Sequence, residues 1–217
     1  MTGDFNRRPP GGEIPQLALP GVAPASRPIG QTTDAWATPD WLVAALAHTR
    51  ELDPIRWGFR PKLDVCAEPW SAKAPRWYGP GGEREDAHAE PWDPDTEKWC
   101  NPPYSLIDPW IHAALRCGSA ARGATMFLLP PRTGRPWYTQ LAMAARQGWA
   151  WRFLLEGRVE FIPPAGLTGG NVGGYVELWQ VGGVAPRLPD FMQVEVLKEI
   201  GQARLRRQGQ DCLRQPR

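Results

Sequence analysis

The chain is organised around the stretch Trp99-Cys100-Asn101-Pro102-Pro103-Tyr104-Ser105. The first residues of this stretch are typical of the end of a short strand, and the two prolines restrict φ and stiffen the loop that follows. An amide and an aromatic ring therefore stand together at the tip of a rigid loop. Pro-Pro also occurs elsewhere in this Pro-rich chain, so the pair alone indicates only a turn, and the signal lies in the four residues 101–104.

These residue types suit a flat base that carries an exocyclic amine. The side-chain carbonyl of Asn101 and the backbone carbonyl of Pro102 can accept both N–H groups of such an amine, which favours a nitrogen with a free lone pair. Tyr104 can stack on the base, a contact worth about 1–3 kcal/mol. With a sulfonium methyl donor, catalysis is mostly positioning and preorganised acceptors, on a base flipped out of its duplex.

Composition limits the remaining functional classes. The 217 residues are enough for one domain, and the net charge of +2 argues little for or against nucleic acid. No apolar run approaches a membrane span and no secretory leader is recognisable, so we expect a cytoplasmic protein without membrane contact. The cysteines have no C-x-x-C spacing, so we expect reduced thiols and no metal site: Cys66, Cys100, Cys117 and Cys212.

The N-terminal third begins with a Pro- and Gly-rich segment. We predict that residues 1–34 form a disordered arm. Thr38 fits a helix N-cap and Pro39 fits the first helical position, so a helix is predicted from here to about Arg50. The loop before this helix and its N-terminal N–H groups can face an anionic group of a ligand.

Two short strands follow, at 62–67 and 74–78. The first ends in small residues, which let a ligand approach the carboxyl end of a strand, where open α/β sheets bind ligands. Asp64 can accept from a cofactor amino group, or it can be a buried turn residue.

An acidic, Gly-rich loop at 79–90 comes after the second strand. Its Glu85 and Asp86 stand where a ribose hydroxyl is held in Rossmann-type sites, although a solvated loop is an equal alternative. Trp92 or Asp93 could lie beside an adenine ring. His88 is interpreted as an exposed side chain without a partner.

The second half of the chain alternates helices and strands. A helix is predicted from Asp108, and the continuously apolar run 124–129 is predicted to be a central strand. The next loop, 130–138, carries basic and aromatic residues and is the first candidate for contact with substrate phosphates, through Arg132, Arg135 and Trp137. A helix starts at Pro136.

Three further strands are predicted at 151–155, 159–162 and 175–181. The last of them alternates apolar and polar residues, which favours an edge strand or a hairpin partner. Between them, the Gly-rich loop 163–174 can border a substrate cleft. From Pro189 onward a helix is predicted, so residues 189–217 are assigned to a basic C-terminal helix and tail.

Several of these segments occur in a familiar order. They are Trp36-Ala37-Thr38-Pro39, Leu63-Asp64-Val65-Cys66-Ala67, Lys73 with Pro75-Arg76-Trp77-Tyr78, Glu85-Asp86, Trp92, the stretch 99–105, Leu128-Leu129-Pro130 with Thr133 and Trp137, and Gly157-Arg158-Val159 with Phe161. The set resembles the phage and prophage DNA N6-adenine methyltransferase (Dam-like) family over about residues 34–181.

The resemblance implies an α/β fold: a Rossmann-like, S-adenosyl-methionine-dependent methyltransferase domain at 35–188. A three-layer sandwich with a mixed, partly abbreviated sheet is expected. DNA is the implied partner, in the cytoplasm of a bacterium that carries a phage or prophage, with or without a restriction nuclease. No separate target-recognition domain is visible, so site choice would rest on the loops 130–138 and 163–174.

The resemblance also implies roles for individual residues. The cofactor pocket would be lined by Trp36, Thr38, Pro39, Asp64, Cys66 and Ala67. Asp86 and Trp92 would meet the ribose and adenine of the cofactor. The target base would be held by Asn101, Pro102, Pro103 and Tyr104.

Two other functions stay open at this point. One is a methyltransferase that acts on another amine or amide, such as RNA adenine or a protein glutamine, because Asn-Pro-Pro-Tyr loops also occur there. A protein glutamine enzyme would be expected to carry a Gly-rich cofactor loop, which this chain lacks. The other is a non-catalytic DNA-binding module, which predicts a decayed loop, whereas residues 101–104 are intact.

Overall fold

The computed structural model describes residues 33–47, 58–165, 173–186 and 191–214, within which seven strands form one mixed sheet. The strands are β1 Leu63–Asp64, β2 Arg76–Trp77, β3 Lys98–Cys100, β4 Thr125–Leu129, β5 Ala150–Glu156, β8 Glu177–Val181 and β9 Phe191–Gln193. Their order is β2-β1-β3-β4-β8-β5-β9, and β8 runs antiparallel to both of its neighbours. A separate two-stranded sheet joins β6 Val159–Glu160 and β7 Gly173–Gly174.

Helices cover both faces of the large sheet. They are α1 Asp40–Leu46, α2 Asp108–Arg116, α3 Pro136–Arg146 and α4 Val194–Arg214. Successive β4 side chains point to opposite faces, so Met126 and Leu128 pack with α1 and α4 while Phe127 and Leu129 pack with α2 and α3. The protein therefore has the Rossmann-like, three-layer α/β fold with a mixed sheet that the resemblance implies.

The central strand is the one that the apolar run predicts. All five residues of β4 are buried, with β3 parallel on one side and β8 antiparallel on the other. The short β1 and β2 on the far side of β3 match an abbreviated sheet. The helices predicted from Asp108 and Pro136 are also confirmed, as α2 and α3.

Residues 175–181 do not form an edge strand, one of the two positions that their alternation predicts, although β8 does pair antiparallel with β5. β8 lies between β4 and β5, and all of its residues are buried. The polar residues that produce its alternation are satisfied inside the protein. Glu177 accepts from Tyr138 and Trp179, and the Gln180 side chain donates to the carbonyl oxygens of Gly182 and Val184.

Two helix starts also differ from their predictions. Pro39 is extended (φ −68°, ψ 139°) and is itself the N-cap residue of α1, so Thr38 does not cap the helix. The C-terminal helix begins at Val194, because Phe191–Gln193 pairs with β5 as strand β9.

The last helix packs on the first within the compact unit Thr32–Arg217. Gly201 of α4 permits the contact, since a Cβ at this position would lie 1.9 Å from the Trp41 carbonyl oxygen. The proposed arm 1–34 lies almost wholly outside the described residues, and the division of the chain at 188 stays a prediction. No helix in the described ranges has the length and apolarity needed to cross a bilayer.

Candidate active site

Two neighbouring cavities open at the carboxyl ends of the parallel strands. The larger, of about 500 Å³, lies at the ends of β1, β2 and β3, where the chain order of the sheet switches direction. Open α/β sheets bind ligands at such switch points, and this volume is within the usual range for small-ligand pockets. The smaller cavity, of about 170 Å³, has room for one planar group. Both are lined by Asp34, Trp36 and Asn101, so they meet there.

The Asn101 side chain lies at this junction. Its Nδ2 donates to the backbone carbonyl of Trp36 at 3.3 Å. Because that carbonyl can only accept, the amide must turn its nitrogen toward it. The Asn101 Oδ1 is thereby left buried and without a hydrogen-bond partner. A buried, unpaired acceptor is costly, by about 1–3 kcal/mol, which is typical of a group that awaits a ligand donor.

Tyr104 forms a wall of the smaller cavity. Its hydroxyl donates to the Leu128 carbonyl at 3.3 Å, and its ring meets Phe161 edge to face, with centroids 6.2 Å apart. Burial raises the pKa of this hydroxyl well above its usual range. The phenol is thus held neutral and fixed, so what it offers a ligand is a ring surface.

Three hydrogen bonds tie the loop after β3 to other segments. Arg132 donates from Nη1 to the Tyr104 carbonyl at 2.9 Å. Asp34 accepts from the Ser105 backbone N–H at 3.2 Å and from its hydroxyl at 2.6 Å. The loop is therefore anchored from the 3-10 turn Thr33–Ala35 on one side and from the loop after β4 on the other.

Asp64 is a buried carboxylate on the wall of the larger cavity. Its oxygens accept the backbone N–H groups of Cys66, at 3.1 Å, and Lys73, at 2.9 Å. Burial nevertheless raises the pKa of Asp64 to about 7, since desolvation outweighs these hydrogen bonds. The same burial, with the nearby Asp64 and Glu68 charges, raises the pKa of the Cys66 thiol and so disfavours its thiolate form.

Most residues assigned to the cofactor pocket line this larger cavity. Trp36, Thr38, Asp64, Cys66, Ala67 and Asp86 do so, together with Asn101 and Pro103 of the loop. The Thr38 Oγ1 is buried and has no partner, so a second polar group is available to a ligand. Pro39 is buried at the start of α1 and is not part of the lining.

Trp92 does not line the cavity either. It is 3% exposed, and its indole N–H donates to the Ala87 carbonyl at 2.8 Å in the core behind the loop. The cavity wall at this place is formed by His88 and Trp110, whose rings meet edge to face at 4.4 Å. His88 is therefore half-buried and packed, contrary to its interpretation as an exposed residue, and burial lowers its pKa.

The loop at 130–138 divides between surface and core. Arg132 and Arg135 are exposed, as contacts with phosphates require. Trp137 is 2% exposed and packs in the core against Tyr138, so its assignment as a DNA contact is wrong. As the second residue of α3 it faces the sheet, which its place in a basic loop does not reveal.

Residues that the sequence left without a role also belong to the site. Asp34 borders both cavities, and Lys73 joins the wall of the larger cavity to α1 through an ion pair with Asp40 at 2.6 Å. Gly79 allows the ends of β1 and β2 to approach, since a Cβ there would lie 2.0 Å from the Ala67 carbonyl oxygen. Lys73 is in the family-like series of segments, which is the one sequence signal that indicates its part in the site.

Among the described residues, no three His, Cys, Asp or Glu side chains group as metal ligands.

Comparison with known proteins identifies a family for this chain. A family model described as DNA N-6-adenine-methyltransferase (Dam) matches residues 26–174, more than half of the chain. The chain belongs to this family. It is accordingly a methyltransferase, and the resemblance found in the sequence is confirmed.

The similarity to a solved structure is weaker. A predicted O-methyltransferase from Agrobacterium tumefaciens is 15% identical, with a TM-score of 0.37, over 76% of this chain and 97% of that one. No curated protein sequence matches the chain.

Proposed function

We propose that this methyltransferase transfers a methyl group from S-adenosyl-methionine to N6 of a flipped-out adenine in DNA. The observation that carries the proposal is the unpaired, buried Oδ1 of Asn101 at the junction of the two cavities. An acceptor in this position suits an amine that enters from the smaller cavity and faces a methyl group held in the larger one. The family description supports DNA and adenine as the substrate.

The larger cavity fits the cofactor by its donors and acceptors. Asp64 can accept from the ammonium group, the Thr38 hydroxyl can donate to the carboxylate, and Asp86 can accept from the ribose hydroxyls. His88 and Trp110 provide a ring surface for the adenine of the cofactor. When bound, the cofactor supplies a methyl group on a positively charged sulfur, which needs no metal or protein nucleophile.

The protein's own contribution is positioning of the target amine. Asn101 Oδ1 accepts one N–H of the amine, and the Pro102 carbonyl is proposed to accept the other, so that the lone pair points toward the methyl group. Tyr104 stacks on the base, and its position is fixed by Leu128 and Arg132. These acceptors are held in place before the reaction, so they stabilise the positive charge that develops on nitrogen.

The substrate class is tested with purified protein and cofactor labelled on the methyl group. Duplex DNA, single-stranded DNA, RNA and a protein extract are offered in parallel, and the labelled nucleoside or residue is identified by mass spectrometry. We expect N6-methyladenine in DNA. Label in RNA adenine or in protein glutamine, with none in DNA, would replace this proposal with the corresponding alternative.

A further inference from the structure

A third concave surface lies on the side of the protein covered by α1 and α4. It is a groove of about 470 Å³, called here the basic groove, and its lining includes Asp40, Val43, Arg60, Lys73, Arg204 and Gln208. Arg60 precedes β1 and Arg204 lies on α4, so distant parts of the sequence bring their guanidinium groups to one place. Lys73 lines both this groove and the cofactor-sized cavity.

Some of the other arginines on the described surface are paired with carboxylates. Those at 76, 84, 122 and 152 each pair with a carboxylate: Glu83, Glu90, Asp95 and Glu177. Within the described part of the chain, neither Arg60 nor Arg204 has such a partner. Asp40, the carboxylate of the groove lining, is already occupied by Lys73.

Among the described residues, Arg60 and Arg204 therefore lie close together without a carboxylate that neutralises them. Arg204 is half-buried, and its pKa is lowered by this burial and by the charges of Arg60 and Arg207. Arg207 is one turn further along α4 and is exposed, with its Nε donating to the Ala203 carbonyl of its own helix. The row of cations thus continues beyond the end of the groove, which suits a chain of anions better than one small anion.

We propose that the basic groove binds the phosphodiester backbone of duplex DNA outside the target site. Guanidinium groups match phosphate oxygens with paired N–H donors, and each neutralised phosphate releases counterions, which favours binding. The proposal rests on DNA as the substrate. It adds to the Arg132 and Arg135 loop a second contact region, on the α1 and α4 side of the sheet.

The test measures the salt dependence of DNA binding by the full chain. Arg60→Gln with Arg204→Gln removes two phosphate contacts, so the slope of log affinity against log salt concentration falls by about 1.8. Between roughly 50 and 200 mM salt, the affinity of the unmodified protein then drops about 12-fold more than that of the variant. This difference in slope is expected with a long DNA duplex and should disappear with a duplex too short to extend beyond the target site. Cofactor affinity and kcat at saturating DNA stay unchanged.

Two further variants make the test decisive. Arg116→Gln with Arg146→Gln removes the same charge from exposed positions on α2 and α3, on the opposite face, and should leave the slope unchanged. Arg60→Lys with Arg204→Lys keeps both charges and should show the slope of the unmodified protein, which separates loss of charge from any effect of glutamine on folding. If the unmodified protein methylates DNA but all three double variants have the same salt slope, the proposal for the basic groove is wrong and the proposed function stands. An unmodified protein that neither binds nor methylates DNA overturns both proposals.

Discussion

Asn101 donates its side-chain amide to the backbone carbonyl of Trp36, 65 residues earlier in the chain, at an Nδ2–O distance of 3.3 Å. This contact joins the loop after β3 to the segment before α1. It also decides which end of the amide faces the two cavities, because the nitrogen is taken and the oxygen is not. The orientation of the key acceptor is therefore set by the protein before any substrate arrives.

Replacing Tyr104 separates stacking from anchoring. Tyr104→Ala removes the ring, so KM for DNA should rise by the equivalent of about 1–3 kcal/mol while cofactor affinity stays nearly constant. Tyr104→Phe keeps the ring and loses the bond to the Leu128 carbonyl, so it should cost about 0.5–1.5 kcal/mol of stability with little change in KM. Steady-state kinetics and isothermal titration measure the DNA and cofactor affinities of both variants. Equal losses of DNA and cofactor affinity in Tyr104→Ala would contradict the role of the ring.

Arg132 and Arg135 should respond differently to substitution by alanine. Arg132 holds the Tyr104 carbonyl, so its loss should lower kcat through a less ordered catalytic loop. Arg135 is exposed at the start of α3, so its loss should raise KM and reduce the salt slope of DNA binding by about 0.9. Kinetics over a range of salt concentrations compare the two. If both variants change only the salt slope, Arg132 is a phosphate contact and does not position the loop.

The raised pKa of Asp64 predicts pH-dependent cofactor binding. If its carboxylate accepts from the ammonium group, affinity for S-adenosyl-homocysteine should rise as pH passes through about 7, by roughly 10-fold between pH 6 and 8. Titration calorimetry across this range measures the change. Asp64→Asn should bind weakly with a flat pH profile, and an unchanged pH profile in that variant would assign the titration to another group.

The same group affects stability with a definite sign. In the unfolded chain this carboxyl loses its proton near the ordinary aspartate pKa of 3.8, whereas folded Asp64 keeps its proton up to about 7. The folded state therefore binds more protons between these values, and this group lowers the free energy of unfolding as pH rises through that window. Thermal unfolding should show this slope in the unmodified protein and a smaller one in Asp64→Asn.

Glycines at two positions of α4 form a matched pair. A Cβ at Gly201 would collide with the Trp41 carbonyl, so Gly201→Ala should separate α1 from α4 at a cost of about 1–3 kcal/mol. A Cβ at Gly209 meets nothing within 4 Å, so Gly209→Ala should stabilise the helix by up to about 1 kcal/mol. Thermal melts compare the two variants, and equal shifts in the same direction would contradict the tight helix contact.

The elements that the sequence predicts well are those fixed by local chemistry. The continuous apolar run of β4, the Pro-initiated helices α2 and α3, and the rigid loop after β3 all depend on residues that are neighbours in the chain. The position of β8 is predicted wrongly because the polar side chains of Glu177 and Gln180 find their partners inside the fold. Periodicity alone cannot distinguish such satisfied polar residues from solvated ones.

The sequence predicts which segments contribute residues to the candidate site, but it predicts less well which way their side chains point. Asn101 and Asp64 stand out because their residue types, placed at strand ends, already indicate ligand binding. Trp92 and Trp137 are close to ligand-binding segments in sequence, but both rings turn into the core. Their places are taken by side chains with weaker sequence signals, such as His88, since the direction of a side chain depends on tertiary packing.

The central claim is tested most directly by counting N6-methyladenine in DNA after reaction with the unmodified protein and with Asn101→Ala. Removing one preorganised hydrogen-bonding group should lower kcat by about 10²–10³-fold, while affinity for S-adenosyl-homocysteine stays close to that of the unmodified protein. This pair of results would place the Asn101 oxygen on the target amine. N6-methyladenine formed at the same rate by Asn101→Ala, or absent from the unmodified reaction, would contradict the account.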